Sequence, residues 1–249
     1  MTDPVVSWLH PLVDADDCHR LAALNSDLER ALADHPIRPD DLNRTEHLLA
    51  IRQQMADRAE SSAVVQVLAQ FLCGYHDIDL RDTLGIGHGR LIEHYGTATV
   101  RDRWLPRLTV GRLAGIAVTE PHGGSRPAET RTQATLAPDG TWRVTGRKIW
   151  ISRLTEAVVF TVFVRGPQGE LAAVVVDRDR PGLSRQPLEP TGLSGWTWGV
   201  LVLDDVVVES EEVLVGDGMT LLREHFAVYR PLVAATALGG AAFVFDTVA

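Results

Sequence analysis

Two linked segments decide the reading of this chain: Gly115-Ile116-Ala117-Val118-Thr119-Glu120-Pro121-His122-Gly123-Gly124-Ser125 and Gly146-Arg147-Lys148-Ile149-Trp150-Ile151-Ser152. The first is a β-favouring run that breaks at Pro121 into a Gly-Gly-Ser loop, whose bare backbone amides suit an anion such as a diphosphate. The second reads as a strand. Side chains alternate across a strand, so Trp150 and Ser152 share one face. An indole beside a hydroxyl suits a flat ligand with polar edges, such as a flavin.

Working outward, β-branched or alternating runs at 113–119, 130–136, 141–152, 157–165, 170–177 and 199–208 are separated by turn signals. These are Pro138-Asp139-Gly140, Gly166-Pro167-Gln168-Gly169 and Pro181-Gly182. Together they predict an antiparallel sheet or small barrel. Upstream, Leu21, Leu24, Leu28 and Leu32 recur at helical spacing behind the acidic cluster Asp14 to Asp17, and Pro36 and Pro39 close that helix. A Leu, Ala and Gln-rich stretch from Asp41 to about Phe71 predicts one broken helix or two. Asp82 and Thr83 read as caps for a helix through Leu91, and Thr97 as the cap of one that stops at Pro106. Gly85, Gly87 and Gly89 lack a preceding strand and read as close helix packing. A last helix is expected from about Met219 onward, and Leu232 to Ala249 is apolar on nearly every face. The fold class is thus α+β: a helical domain over 1–112, a β domain over 113–218, and a helical segment over 219–249.

Composition bounds the function. The 249 residues are 45% hydrophobic and 23% charged, with a net charge of −9, which disfavours binding to nucleic acid, since that depends on an excess of Lys and Arg. An anionic ligand then needs a local basic site, and Arg126, Arg131, Arg147, Lys148 and Arg153 cluster around the central segments. Cys18 and Cys73 give neither a disulfide framework nor a metal pattern, consistent with a cytoplasmic protein, and no metal site is expected. The amino-terminal residues lack the basic region of a signal peptide. The longest apolar run, Leu232 to Phe245, is shorter than the roughly 20 residues of a membrane span, so a protein environment is expected for it. His122 lies in the glycine loop, and His88 reads as a helix-packing residue.

Three motifs, in order, resemble the acyl-CoA dehydrogenase family of flavoproteins: Ala117 to Ser125, Gly146 to Ser152, and Phe226-Ala227-Val228-Tyr229-Arg230-Pro231-Leu232-Val233-Ala234-Ala235. The resemblance covers roughly Leu84 onward. It implies an N-terminal helical domain, a middle β-barrel or sandwich, and the first helix of a four-helix bundle. It implies FAD as cofactor, with Ile116, Val118, Thr119, Gly123, Gly124, Ser125, Trp150, Ile151 and Ser152 on the cofactor side. Thr119 would meet the pyrimidine edge, Ser125 and the glycines the diphosphate, Trp150 the isoalloxazine, and Ser152 the region of N5. Donors there stabilise the charge gained when the ring accepts a hydride. Ser125, Tyr229 and Arg230 would face the substrate.

The activity implied is α,β-dehydrogenation of an acyl thioester, bound to CoA or to a carrier protein. That chemistry needs a carboxylate base. The family's alternative base position, just before the arginine matched by Arg230, holds Tyr229, whose reference pKa near 10 makes it a poor base. No catalytic base is therefore assigned to this chain, and a hetero-oligomer is expected, in which a partner polypeptide supplies the bundle and the base. The alternatives are a non-catalytic structural or acyl-binding subunit, and a flavin monooxygenase on the same fold.

Overall fold

The computed structural model describes residues 4–58 and 62–248. These form two compact units. One comprises the described residues within Met1–Gly85, Thr109–Gly111 and Ala227–Ala249, the other Ile86–Leu108 and Arg112–Phe226.

The second unit is built on seven strands: β1 (Leu113–Ala117), β2 (Gln133–Leu136), β3 (Trp142–Ser152), β4 (Ala157–Arg165), β5 (Leu171–Asp177), β6 (Leu183–Leu188) and β7 (Trp198–Val208). Their order is β1-β4-β2-β3-β7-β6, with β5 paired to β4. The sheet is mixed. β1 runs parallel to β4, and β2 meets β4 in parallel at Gln133 and Arg165, while the other pairings are antiparallel. The long excursion between β1 and β4, which contains β2 and β3, allows β1 and β4 to run the same way.

β4 explains the layering. Its near-continuous apolar run is the signature of a strand covered on both faces. Phe160, Val162 and Val164 enter a core with Ala117, Val144, Ile151, Val174, Leu201 and Val206. Val159 and Phe163 point the other way, against Leu91, Trp104, Leu108, Val175 and Leu221. The second core is closed by α5 (Arg90–Tyr95), α6 (Ala98–Thr109) and the start of the last helix. Each such fully buried Phe or Val stabilises by about 1.5–3 kcal/mol.

Three local expectations change. β6 went unread because Leu183–Leu188 has little apolar alternation and contains Pro187; at the end of the sheet order, that proline is tolerated. α6 continues through Pro106 to Thr109, since a proline late in a short helix removes one donor without ending the element. No helix begins at Asp82. That residue has φ 66°, Gly85 and Gly87 also have positive φ, and a single 3₁₀ turn, Gly87–Gly89, leads into α5. Gly89 fits close packing, where a Cβ would stand 2.7 Å from Leu108 Cδ1, whereas Gly85 has open space around it. Thr97 does cap α6, its Oγ1 accepting from Val100 N at 3.3 Å.

The first unit holds α1 (Pro4–Ser7), α2 (Ala15–Asp34), α3 (Arg44–Gln54), α4 (Ala63–His76) and most of α7 (Gly218–Val248). Asp14 caps α2 by accepting from Asp17 N, and the buried Leu21, Leu24, Leu28 and Ala31 follow the helical period. α4 and α7 approach backbone to backbone: a Cβ on Gly74 would collide with Thr236 O, and one on Gly239 with Phe71 O. α7 overturns the length argument against a membrane span. It runs for 31 residues and is long and apolar enough to cross a bilayer by length and composition.

Candidate flavin site

The site grows from an irregularity in β3. Lys148 pairs with Leu201 but Ile151 with Gly199, so β3 carries one extra residue between them, a β-bulge. Trp150 sits in the bulge with φ 59°, a left-handed conformation that costs an L-residue about 1–2 kcal/mol. The bulge turns its indole outward, 53% exposed, while Ile151 points into the core at 2%. Trp150 and Ser152 lie off the core face, whereas unbroken alternation from Val144 and Lys148 would have put both on it; the bulge reverses the facing. Ile149 N, displaced from the β3–β7 ladder, donates to Thr119 O at 2.9 Å. That bond fixes the backbone of Thr119 to the residue preceding the indole.

Beneath this surface lies a buried ion pair that sequence reasoning missed. Glu120 is 4% exposed and accepts from Lys148 Nζ at 2.8 Å, Thr130 Oγ1 at 2.5 Å, Arg131 N at 2.7 Å and Thr132 N at 2.8 Å. Lys148, fully buried, also donates to Val118 O at 3.3 Å and Thr130 Oγ1 at 2.8 Å. Burial opposes ionisation of Glu120, but the hydrogen bonds from Lys148, Thr130, Thr132 and Arg131 outweigh it and hold the carboxyl well below its usual range. Burial also pulls the Lys148 ammonium down, and Glu120 counters. Lys148 is therefore a brace and not the anion-binding cation proposed for it from sequence. Its signal was present: in an alternating strand, Lys148 falls on the same face as the core residue Val144.

The other sequence candidates divide. Ile116 and Val118 are partly buried against the helix-side core. Gly123, Gly124 and Ser125 are exposed on the loop after Pro121. Gly123 has φ 150° and open space around its Cα, whereas a Cβ on Gly124 would stand 2.9 Å from Thr119 Oγ1, so the loop folds tightly over that side chain. Ser152 Oγ accepts from Arg153 Nη1 at 3.2 Å. Arg153 is itself buried, its guanidinium 5.2 Å from the Trp196 ring. His122 Nε2 lies 3.2 Å from Glu129 O. In the other unit, Tyr229 is buried and its hydroxyl donates to Asp82 Oδ2 at 2.7 Å, a contact absent from the sequence reading, and Arg230 is exposed. His88 packs against His225, with Nδ1 and Nε2 3.0 Å apart. Among the described residues no cluster of three or more His, Cys, Asp or Glu gathers to hold a metal.

Residues 115–206, which contain this bulge and loop, match the family model described as acyl-CoA dehydrogenase, middle domain. The match spans the strands from Gly115 in β1 to Val206 in β7. Around it the chain is 35% identical over 165 residues to the mitochondrial very long-chain specific acyl-CoA dehydrogenase of Mus musculus, covering 59% of this chain and 25% of that protein. It is also 35% identical over 156 residues to the cyclohexane-1-carbonyl-CoA dehydrogenase of Syntrophus aciditrophicus, covering 59% and 40%. A glutaryl-CoA dehydrogenase of Mycobacterium smegmatis, solved in complex with FADH2, superposes with a TM-score of 0.83 at 23% identity, over 96% of this chain and 65% of that one. The middle domain and its helical flanks thus share the acyl-CoA dehydrogenase fold. The chain spans a quarter of the mouse protein's length.

Proposed function

We propose that this chain is an FAD-binding, acyl-CoA dehydrogenase-like oxidoreductase component acting on an acyl thioester, carried by CoA or by a carrier protein. One observation carries the reading: an exposed indole held in a left-handed bulge and tied through Ile149 to Thr119. Strain and exposure of a large aromatic are both unfavourable without a ligand to cover it. The residues fit the flavin. Trp150 offers an exposed flat face, Ser152 a hydroxyl two residues on, and Gly123, its amide turned back onto Glu120 O, leads into the exposed Gly124 and Ser125. When bound, FAD supplies the hydride acceptor. The chain's own residues position that ring, and the Glu120–Lys148 pair keeps Thr119 and Trp150 in register.

The base is proposed to lie outside the described residues. The Tyr229 hydroxyl is engaged as a donor to a buried carboxylate, the opposite of what a base requires. A helical partner is supported by the exposed apolar residues of α7, namely Val228, Leu238, Phe243, Val244, Phe245 and Val248. Asp246 of that helix accepts from Trp8 Nε1 at 3.0 Å and Tyr75 OH at 2.8 Å. A charged residue held against neighbouring helices favours a protein cover over lipid.

The test is purification alone and after co-expression with a polypeptide of the bundle type. Yellow flavin absorbance, with acyl-CoA-dependent dye reduction only in the complex, is expected. A colourless protein in both preparations would overturn the reading, and colour without dye reduction in the complex would leave only the non-catalytic flavoprotein.

A further inference from the structure

Around the Gly115–Ser152 region most basic side chains are already spent. Lys148 pairs with Glu120, Arg126 with Glu129 at 3.2 Å, and Arg153 lies over Trp196. Arg165 donates to the carbonyls of Thr130, Gly169 and Ala128. Arg131 and Arg147 are different: neither guanidinium has an ion-pair or hydrogen-bond partner among the described residues. Both line one cavity of 410 Å³, together with Glu120, Pro121, His122, Thr132 and Gly146. That volume falls within the roughly 300–1,000 Å³ of small-ligand sites.

The one carboxylate in the lining does not offset these cations, because Glu120 is already saturated by four donors from Lys148, Thr130, Arg131 and Thr132. His122 is engaged on both nitrogens, with Nδ1 3.5 Å from Glu120 Oε2 and Nε2 3.2 Å from Glu129 O, so the two guanidiniums are the cations left facing the shared space. The floor holds Thr132, 1% exposed, whose Oγ1 has no hydrogen-bond partner among the described residues. Gly146 covers it closely, and a Cβ there would stand 2.5 Å from that oxygen. None of Thr119, Gly123, Gly124, Ser125, Trp150 or Ser152 lines this cavity.

We propose that the cavity is an anion site for a phosphate ester, gripped by Arg131 and Arg147 with His122 at the rim, and separate from the flavin-facing surface. Arginine suits this, since its planar fork matches phosphate oxygens in pairs. The chemistry is shared by a free diphosphate and by the phosphorylated end of a nucleotide carrier.

The experiment is an NMR titration of the full, isotopically labelled chain, loaded with FAD if it purifies so, using inorganic pyrophosphate and, in parallel, CoA and dephospho-CoA. Saturable shifts are expected at the amides of Thr132, Gly146 and Arg147. Arg131→Gln with Arg147→Gln should weaken pyrophosphate binding at least tenfold while leaving the flavin spectrum unchanged. Both arginines are exposed, so the double variant should fold, which its amide spectrum checks directly. Tighter binding of CoA than dephospho-CoA would identify a terminal monophosphate as occupant, and equal binding a diphosphate. Absence of saturation, unchanged affinity in the double variant, or stoichiometric displacement of pyrophosphate by FAD would each overturn the proposal.

Discussion

Replacing Glu120 by Gln tests the brace beneath the site, because it removes the counter-charge from a lysine with no exposed surface while keeping the side-chain shape. Breaking one side of a buried pair costs about 3–5 kcal/mol. The lysine has one escape, which is to fold neutral. From a reference pKa near 10.4, deprotonation at pH 7 costs about 1.36 kcal/mol for each of roughly 3.4 pH units, which caps the loss near 4.6 kcal/mol. We therefore expect Glu120→Gln to lose about 3–4.5 kcal/mol at pH 7. The same reasoning fixes the pH dependence. If Lys148 folds neutral but is protonated when unfolded, the unfolded state binds more protons, and stability rises with pH by up to about 1.36 kcal/mol per unit until about pH 10.4. The parent pair shows only a shallow rise of the same sign, because Glu120 counters most of the burial that pulls the Lys148 ammonium down. Its main dependence lies on the acid side. The folded carboxyl is held low, so its contribution is complete above the unfolded value near 4.3 and is lost as pH falls toward the folded value. Urea unfolding followed by tryptophan fluorescence suits the measurement, since Trp104, Trp142, Trp150, Trp196 and Trp198 all lie in the sheet unit and only Trp8 lies outside it. A loss below about 1 kcal/mol at pH 7, or a penalty unchanged between pH 7 and 10, would refute the claim that a buried charge is being compensated.

Three further outcomes follow from the geometry. Trp150→Gly relieves a left-handed residue, so the sheet should keep or gain up to about 1 kcal/mol while flavin affinity falls about tenfold or more; urea titration and bound-flavin absorbance separate the two effects. Tyr229→Phe leaves the buried Asp82 without its hydroxyl donor and should destabilise the helical unit by about 1–3 kcal/mol, measured by the helical signal in circular dichroism. Gly239→Ala drives a methyl into the backbone of α4 at Phe71 and Tyr75, and a loss of about 1–3 kcal/mol or more is expected in the same assay; a neutral result would mean that the two helices separate readily.

Much was determined by sequence alone. Turn chemistry at Pro138-Asp139-Gly140 and Gly166-Pro167-Gln168-Gly169 delimits β2 to β5, because those residues favour turns over ladder pairing. The 3.6-residue spacing of Leu21, Leu24 and Leu28 defines the face that α2 buries. The Gly123-Gly124-Ser125 loop was legible as well, since glycine breakpoints are local properties. Tertiary structure decided the rest. The parallel pairing of β1 with β4, the bulge that turns Trp150 outward, the Glu120–Lys148 brace and the Tyr229–Asp82 bond join residues 28 to 147 positions apart in three of these cases, or depend on register between strands. Local propensity carries no information about such pairs, because their energy arises only when the fold removes both groups from water together.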